Sequence, residues 1–291
     1  MQSSIFLNIT SYKDPELIPT ILDCLDKAKY KDRIFFGVYE EDIKHNEELD
    51  NIKNLVYNYQ HYTKNKGTGY SRNYINKYLY KNQDFVLQID SHSRFLKDWD
   101  VKYIEDFSKA CEQFDITDGK LVLTGFPPAY FIGEEYSDYV QRPTNNWVVP
   151  IEIIPSANYH IKAQDRPFTS EFELTVYASG ANTFMPREFV INSVYEKYVD
   201  PYKDQELISL ACYLLNYKLA ASLKPKVFHC YNNNNVGSPD KYRTLVVEDN
   251  IERETWEGTL EAYREKFGNK VDQWVEYINE KINYFKNVKK N

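Results

Sequence analysis

The first half of the chain has a rhythm that restricts it to few folds. Short runs of β-branched and aromatic residues alternate with stretches of helical period. Ile5 to Ile9 reads as a first strand and Ile34-Phe35-Phe36-Gly37-Val38-Tyr39 as a second. Leu55-Val56-Tyr57 is a weaker third, and Asp84 to Asp90 a strongly apolar fourth. Between the first two, Asp14-Pro15-Glu16 supplies an N-cap, a proline at the first helical position and an acidic first turn. Leu17, Ile18, Ile21, Leu22 and Leu25 then recur at helical spacing, which predicts an amphipathic helix over 14–28. A Gly67-Thr68-Gly69 turn opens another helix, running to about Tyr80. This order is that of an α/β fold with a mostly parallel sheet and crossover helices. Such sheets bind ligands at the carboxyl ends of their strands.

Further along, Trp99 to Phe114 reads as a helix, Leu121 to Thr124 and Phe172 to Val176 as strands, and Asp204 to Tyr217 as a helix. Gly180 to Pro186 suggests a close approach followed by a short strand, and Lys226 to Tyr231 a late strand. Residues 126–170 hold six prolines and no long period, so loops and short strands covering the site are expected there. From Lys241 the tail is charged, with Trp256, Leu260, Tyr263, Phe267, Val271, Trp274 and Ile278 close to helical spacing. The expected organisation is a catalytic domain over 1–240 and a helical extension over 241–291 packed on it.

With 291 residues, 42% of them hydrophobic, the chain can bury a core of ordinary size. A net charge of −7 argues against a general nucleic-acid binder. No apolar run is long enough for a signal-peptide core or a membrane span, so a soluble, cytoplasmic protein is expected. Cys24, Cys111, Cys212 and Cys230 lack metal-knuckle spacing and read as small core hydrophobes.

The chemistry gathers at the end of the fourth strand, in Asp90-Ser91-His92. Alternate residues of an extended segment share a side, so Asp90 and His92 face one ligand while Ser91 points away. A carboxylate and an imidazole suit Mn²⁺, which accepts both oxygen and histidine ligands. Alone, the spacing is also that of a solvated loop with a packing histidine. Its context adds weight. Gly67, Gly69, Ser71 and Arg72 stand where a turn enters a helix, a place for backbone donors and a fixed cation to meet a nucleotide. His229 ends an apolar run and is the best candidate for a third ligand, while His45, His61 and His160 lack such flanks and are expected to face solvent.

Several segments in the same order resemble one family. They are Ile9 to Leu17, Gly67 to Arg72, Leu87 to Phe95, Ser179 to Phe184, Gln205 to Leu210, and Val227 to His229. Over most of residues 3–231 the chain resembles the polypeptide α-N-acetylglucosaminyltransferases, enzymes related to the Skp1 hydroxyproline GlcNAc-transferase. The resemblance implies a GT-A fold, a divalent cation (Mn²⁺ or Mg²⁺) and transfer from a UDP-sugar with retention of anomeric configuration. By motif position, Asp90, His92 and His229 would ligate the metal. Thr10, Ser11 and Tyr12 would line the uridine pocket. Gly67, Ser71, Arg72, Asp90 and Ser91 would contact nucleotide or diphosphate.

The family's Glu-Glu pair falls on Gln205-Glu206, with Asp204 adjacent, so Glu206, Asp204 and Gln205 are the candidate catalytic residues. Gln205 keeps hydrogen-bonding ability but has no charge. Acids in a first helical turn are also expected for dipole reasons alone. The acceptor would carry a hydroxyl on a protein, a glycan or a modified DNA base. A non-catalytic nucleotide-sugar-binding module is the reading from another class.

Overall fold

The computed structural model describes residues 3–61, 67–142, 146–154, 160–193, 204–231 and 256–288. Its centre is an eight-stranded sheet. The strands are β1 (Ile5–Tyr12), β2 (Ile34–Asp42), β3 (Leu55–His61), β4 (Phe85–Asp90), β6 (Leu121–Thr124), β9 (Phe172–Thr175), β10 (Asn182–Pro186) and β11 (Lys218–Ser222). They run in the order β3-β2-β1-β4-β10-β6-β11-β9. The β3, β2, β1 and β4 strands are mutually parallel, as are β6 and β11. Strand β10 lies antiparallel between β4 and β6, and β9 closes the far edge antiparallel to β11.

Strand alternation divides the core between the two faces. Leu7, Ile9, Phe36, Val38, Leu87 and Ile89 pack with Leu17 and Ile21 of helix α1 (Leu17–Lys27) and Trp99 and Tyr103 of helix α3 (Trp99–Gln113). On the opposite face, Phe6, Val86, Val122 and Met185 meet Phe189 of α5 (Arg187–Ser193) and Ile208 and Ala211 of α6 (Asp204–Leu215). Ile75 joins them from a π-helical turn (Ile75–Leu79) that follows α2 (Thr68–Tyr74), while the one-turn α4 (Tyr136–Tyr139) packs Tyr139 against Phe228.

Two small sheets flank the large one. Strand β5 (Ser93–Phe95) pairs antiparallel with β12 (Val227–His229), in register His229 to Ser93. Strands β7 (Asn146–Ile154) and β8 (His160–Pro167) form a hairpin with a register shift between Pro150 and Glu152. The C-terminal helices Trp256–Phe267 and Lys270–Val288 pack Leu260, Tyr263, Trp274 and Ile278 against Leu207, Leu210 and Leu214 of α6 and Val148 and Ile161 of the hairpin. The expected 240/241 boundary, and the part of the expected helical tail before Trp256, lie outside the described residues. Among the described residues, no helix is long and apolar enough to cross a membrane.

Several expectations need correction. The first helix starts at Leu17 rather than Asp14; Asp14 Oδ1 accepts the Glu16 N–H just ahead of it, while Oδ2 is taken by Ser91 and His92. The 126–170 region contains a long hairpin as well as loops, formed where Trp147, Val149 and Ile161 find an apolar partner surface. The helix from Asp204 ends at Leu215, and Lys218–Ser222 forms a strand too short and alanine-rich to stand out in the sequence. His45 does not face solvent freely; it stacks on Tyr57 with ring centroids 5.2 Å apart. His61 is exposed, and the His160 side chain lies outside the described residues. The cysteines are free, and Cys24, Cys212 and Cys230 are buried as expected.

Candidate active site

Topology gathers the site at the carboxyl edge of β4. The parallel β1–β4 register sets Thr10 beside Asp90, so the end of the first strand borders the Asp90-Ser91-His92 turn. Beneath the turn, the buried Thr20 hydroxyl of α1 donates to the carbonyls of Ser91 and Ser93, 2.7 and 3.0 Å away. Antiparallel β10 enters opposite Ile89, which brings the preceding Ser179–Ala181 turn to the same edge. Gln88 fixes that turn by donating from Nε2 to the Gly180 carbonyl at 3.0 Å. The β5–β12 pairing delivers His229 from far along the chain, and Cys230 N donates to the His92 carbonyl at 3.1 Å.

These elements bring together Asp90, His92 and His229, with one ligand atom of each within 4.8 Å of the others. Ligand atoms sharing an ion with bonds of about 2.2 Å stand no more than roughly 4.4 Å apart, so this set is near the spacing one cation requires. The histidine rings meet edge to face, centroids 4.7 Å apart. His229 Nε2 lies 2.9 Å from Asp90 Oδ2, while its buried Nδ1 has no hydrogen-bond partner among the described residues. One carboxylate, two imidazoles and an orphaned imidazole nitrogen fit a divalent ion that takes oxygen and nitrogen.

The surrounding charges are ordered. Arg72 is 4% exposed; its Nη2 donates to Asp90 Oδ1 at 2.6 Å and its Nε lies 3.2 Å from Asp204 Oδ2. Its Nη1 is buried with no hydrogen-bond partner among the described residues. Burial alone would raise the Asp90 carboxyl, but the His229 hydrogen bond and the Arg72 charge hold it well below the usual carboxylate range. Burial raises the Asp204 carboxyl, against the pull of Arg72. Burial also depresses the His229 imidazolium, while the His92 imidazolium is held above its ordinary value despite burial, by its bond to Asp14.

The remaining expected residues are placed as follows. Thr10 and Ser11 are buried at the end of β1, followed by half-buried Tyr12. Gly67 precedes α2 at φ 84°, which glycine adopts without strain, and accepts the Ser71 hydroxyl at 3.0 Å. Ser91 is buried and donates to Asp14 Oδ2 at 2.5 Å. Gln205 Oε1 accepts the Tyr177 hydroxyl at 2.6 Å. Glu206 is 2% exposed, and its Oε1 accepts from Ile161 N of the hairpin at 3.3 Å. Sequence reasoning missed Asp14, read as a helix cap, although its place after the first strand put it at the ligand edge.

The sequence profile of the family described as Glycosyltransferase (GlcNAc) matches residues 4–61 and 43–238. No curated protein sequence matches the chain. Among solved structures, the chain is similar to a crystal structure of GalNAc-T7 with UDP, GalNAc and Mn²⁺, at TM-score 0.56 and 15% identity, covering 85% of this chain. It spans about half of that protein's chain, 48%. It is more loosely similar, at TM-score 0.47 and 14% identity over 92% of this chain and 72% of the other, to S. aureus TarS 1-349 in complex with UDP-GlcNAc. The fold is that of the GT-A glycosyltransferases.

Proposed function

The chain belongs to the Glycosyltransferase (GlcNAc) family, and from that premise we propose that it moves a sugar, with GlcNAc as the first choice, from a UDP-sugar to an acceptor hydroxyl with retention of configuration. The observation that carries the reading is the convergence of Asp90, His92 and His229 at the carboxyl edge of β4, with Arg72 and Asp204 beside them. These ligands favour Mn²⁺, with Mg²⁺ as the alternative. Bound there, the cation would neutralise charge gathering on the departing diphosphate.

The chain's own groups supply the rest. Thr10, Ser11 and Tyr12 border the uridine, and Gly67, Ser71 and Ser91 shape the walls around the diphosphate. Arg72 holds Asp90 in place and has Nη1 left for a phosphate oxygen. Asp204 faces Arg72 at the same edge and accepts a sugar hydroxyl. Gln205 has its carbonyl engaged by Tyr177, which leaves its amide N–H groups for the sugar. Glu206 holds the hairpin to α6 and acts on the sugar through that placement. Retention follows from same-face attack, the leaving phosphate oxygen taking the acceptor proton. A polypeptide hydroxyl of the hydroxyproline kind is the acceptor the family resemblance favours, and the C-terminal helices serve as an extension that buttresses α6.

The test is incubation with Mn²⁺, UDP-GlcNAc and a panel of peptide, glycan and hydroxymethylated DNA acceptors, read by UDP release and product mass. Transfer to one acceptor class is expected, and Asp90→Asn or His229→Ala should lower it by at least about 100-fold. Mn²⁺-dependent UDP binding with neither hydrolysis nor transfer would instead leave a binding module.

A further inference from the structure

Asp14 lies in the loop between β1 and α1 and belongs to no ligand set described so far. Lys13, just before it, sits in the left-handed region at φ 50° with its N–H on the Glu41 carbonyl, 3.0 Å away, so the chain turns sharply there. The turn places the Asp14 carboxylate behind the Asp90-Ser91-His92 segment, where both oxygens are engaged. Oδ2 accepts from Ser91 Oγ at 2.5 Å and meets His92 Nδ1 at 2.6 Å, and Oδ1 accepts the Glu16 N–H at 2.9 Å. Both partners of the Asp14–His92 contact are largely shielded, with side-chain exposures of 15% and 16%.

A carboxylate at hydrogen-bond distance from one imidazole nitrogen fixes where the ring's proton sits. With the proton on His92 Nδ1, where Asp14 Oδ2 can accept it, the lone pair of the neutral ring is left on Nε2. The backbone that carries the ring is also held, since the Thr20 hydroxyl donates to the Ser91 carbonyl and the Cys230 N–H to the His92 carbonyl. Carboxylate, imidazole and cation in series is a recurrent way of orienting a metal-binding histidine and making it a better donor.

We propose that Asp14 is a positioning residue that sets the tautomer and orientation of His92, and through it the affinity of the site for its divalent cation; this rests on the metal reading of Asp90, His92 and His229. Asp14 does not itself touch the ion.

The test uses the full chain, without nucleotide, titrated with Mn²⁺ alone and followed by the paramagnetic resonance of free Mn²⁺. Asp14→Ala and Asp14→Asn are expected to weaken Mn²⁺ binding about 10- to 100-fold. Nitrogen-15 spectra of the metal-free protein should show His92 protonated on Nδ1 in wild type and a mixture of tautomers in Asp14→Asn, a change that a loosened loop alone does not produce. Wild-type affinity in both Asp14 variants, or an unchanged His92 tautomer in Asp14→Asn, overturns this proposal alone if His92→Ala abolishes binding. A wild-type protein that binds no Mn²⁺ overturns the metal reading with it.

Discussion

Asp90 has a cationic or hydrogen-bonding partner on each oxygen, Arg72 on Oδ1 and His229 on Oδ2, and Arg72 in turn reaches Asp204. One guanidinium therefore orders two carboxylates, using separate nitrogens of a rigid fork. Lysine has a single nitrogen at the end of a flexible stem and cannot span both. Arg72→Lys is thus expected to lower turnover by about 100-fold at saturating Mn²⁺ and donor, the loss typical of removing one preorganised donor. The check is UDP release, with a circular dichroism spectrum confirming that the fold is kept. Residue identity was the most legible level: Asp90, His92, His229 and Arg72 stand out in the sequence, and the structure brings them together. Asp14 was hidden because an aspartate before a proline and a helix has a sufficient local explanation as a cap. Only the fold shows that, besides accepting the Glu16 N–H, its carboxylate is committed to Ser91 and His92.

Among the elements, the antiparallel insertion of β10 does most to shape the site. It carries the Gly180 turn to the same edge as Asp90 and lets the first turn of α6 approach it. A Cβ added at Gly180 would lie 2.6 Å from Asp204 Oδ2 and 3.2 Å from its Cγ. Because the obstacle is the end of a short side chain, Asp204 can yield, at the expense of its 3.2 Å contact with Arg72. Gly180→Ala should therefore leave the melting temperature within a few degrees of wild type while turnover falls about 10- to 100-fold, as for a misplacement of roughly 1 Å. Parallel kinetic and thermal measurements on the one variant separate these effects, and a large loss of stability with normal turnover would contradict the argument. The parallel half of the sheet could be read from periodicity, since β1, β2 and β4 are long and rich in β-branched and aromatic residues. The β7–β8 hairpin and β11 could not, because the first is broken by Pro150 and the second is five residues with Leu219 as its one large apolar side chain. Their pairing is decided by partners distant in the sequence.

For the molecule as a whole, the C-terminal helices share one apolar cluster with α6 and the hairpin. Trp274 is fully buried there, packed in the same cluster as Leu207 and Leu214, whose helix begins at Asp204. Trp274→Ala should destabilise the protein by about 3–5 kcal/mol, through lost burial and the cavity left behind. Chemical denaturation followed by circular dichroism measures this. If the helices buttress α6, activity should also fall at temperatures well below the unfolding midpoint, because α6 loosens before the sheet does.

The Asp90–His229 contact spans 139 positions of sequence and is closed by the short β5–β12 pair. A chain growing from its N-terminus therefore holds Asp90 and His92 without their last partner while residues 93 to 228 are being added. Completion of the cluster then waits on the docking of three residues from one strand against three from another. Anything that delays that docking would yield chains with a formed sheet and an incomplete Asp90–His92–His229 cluster.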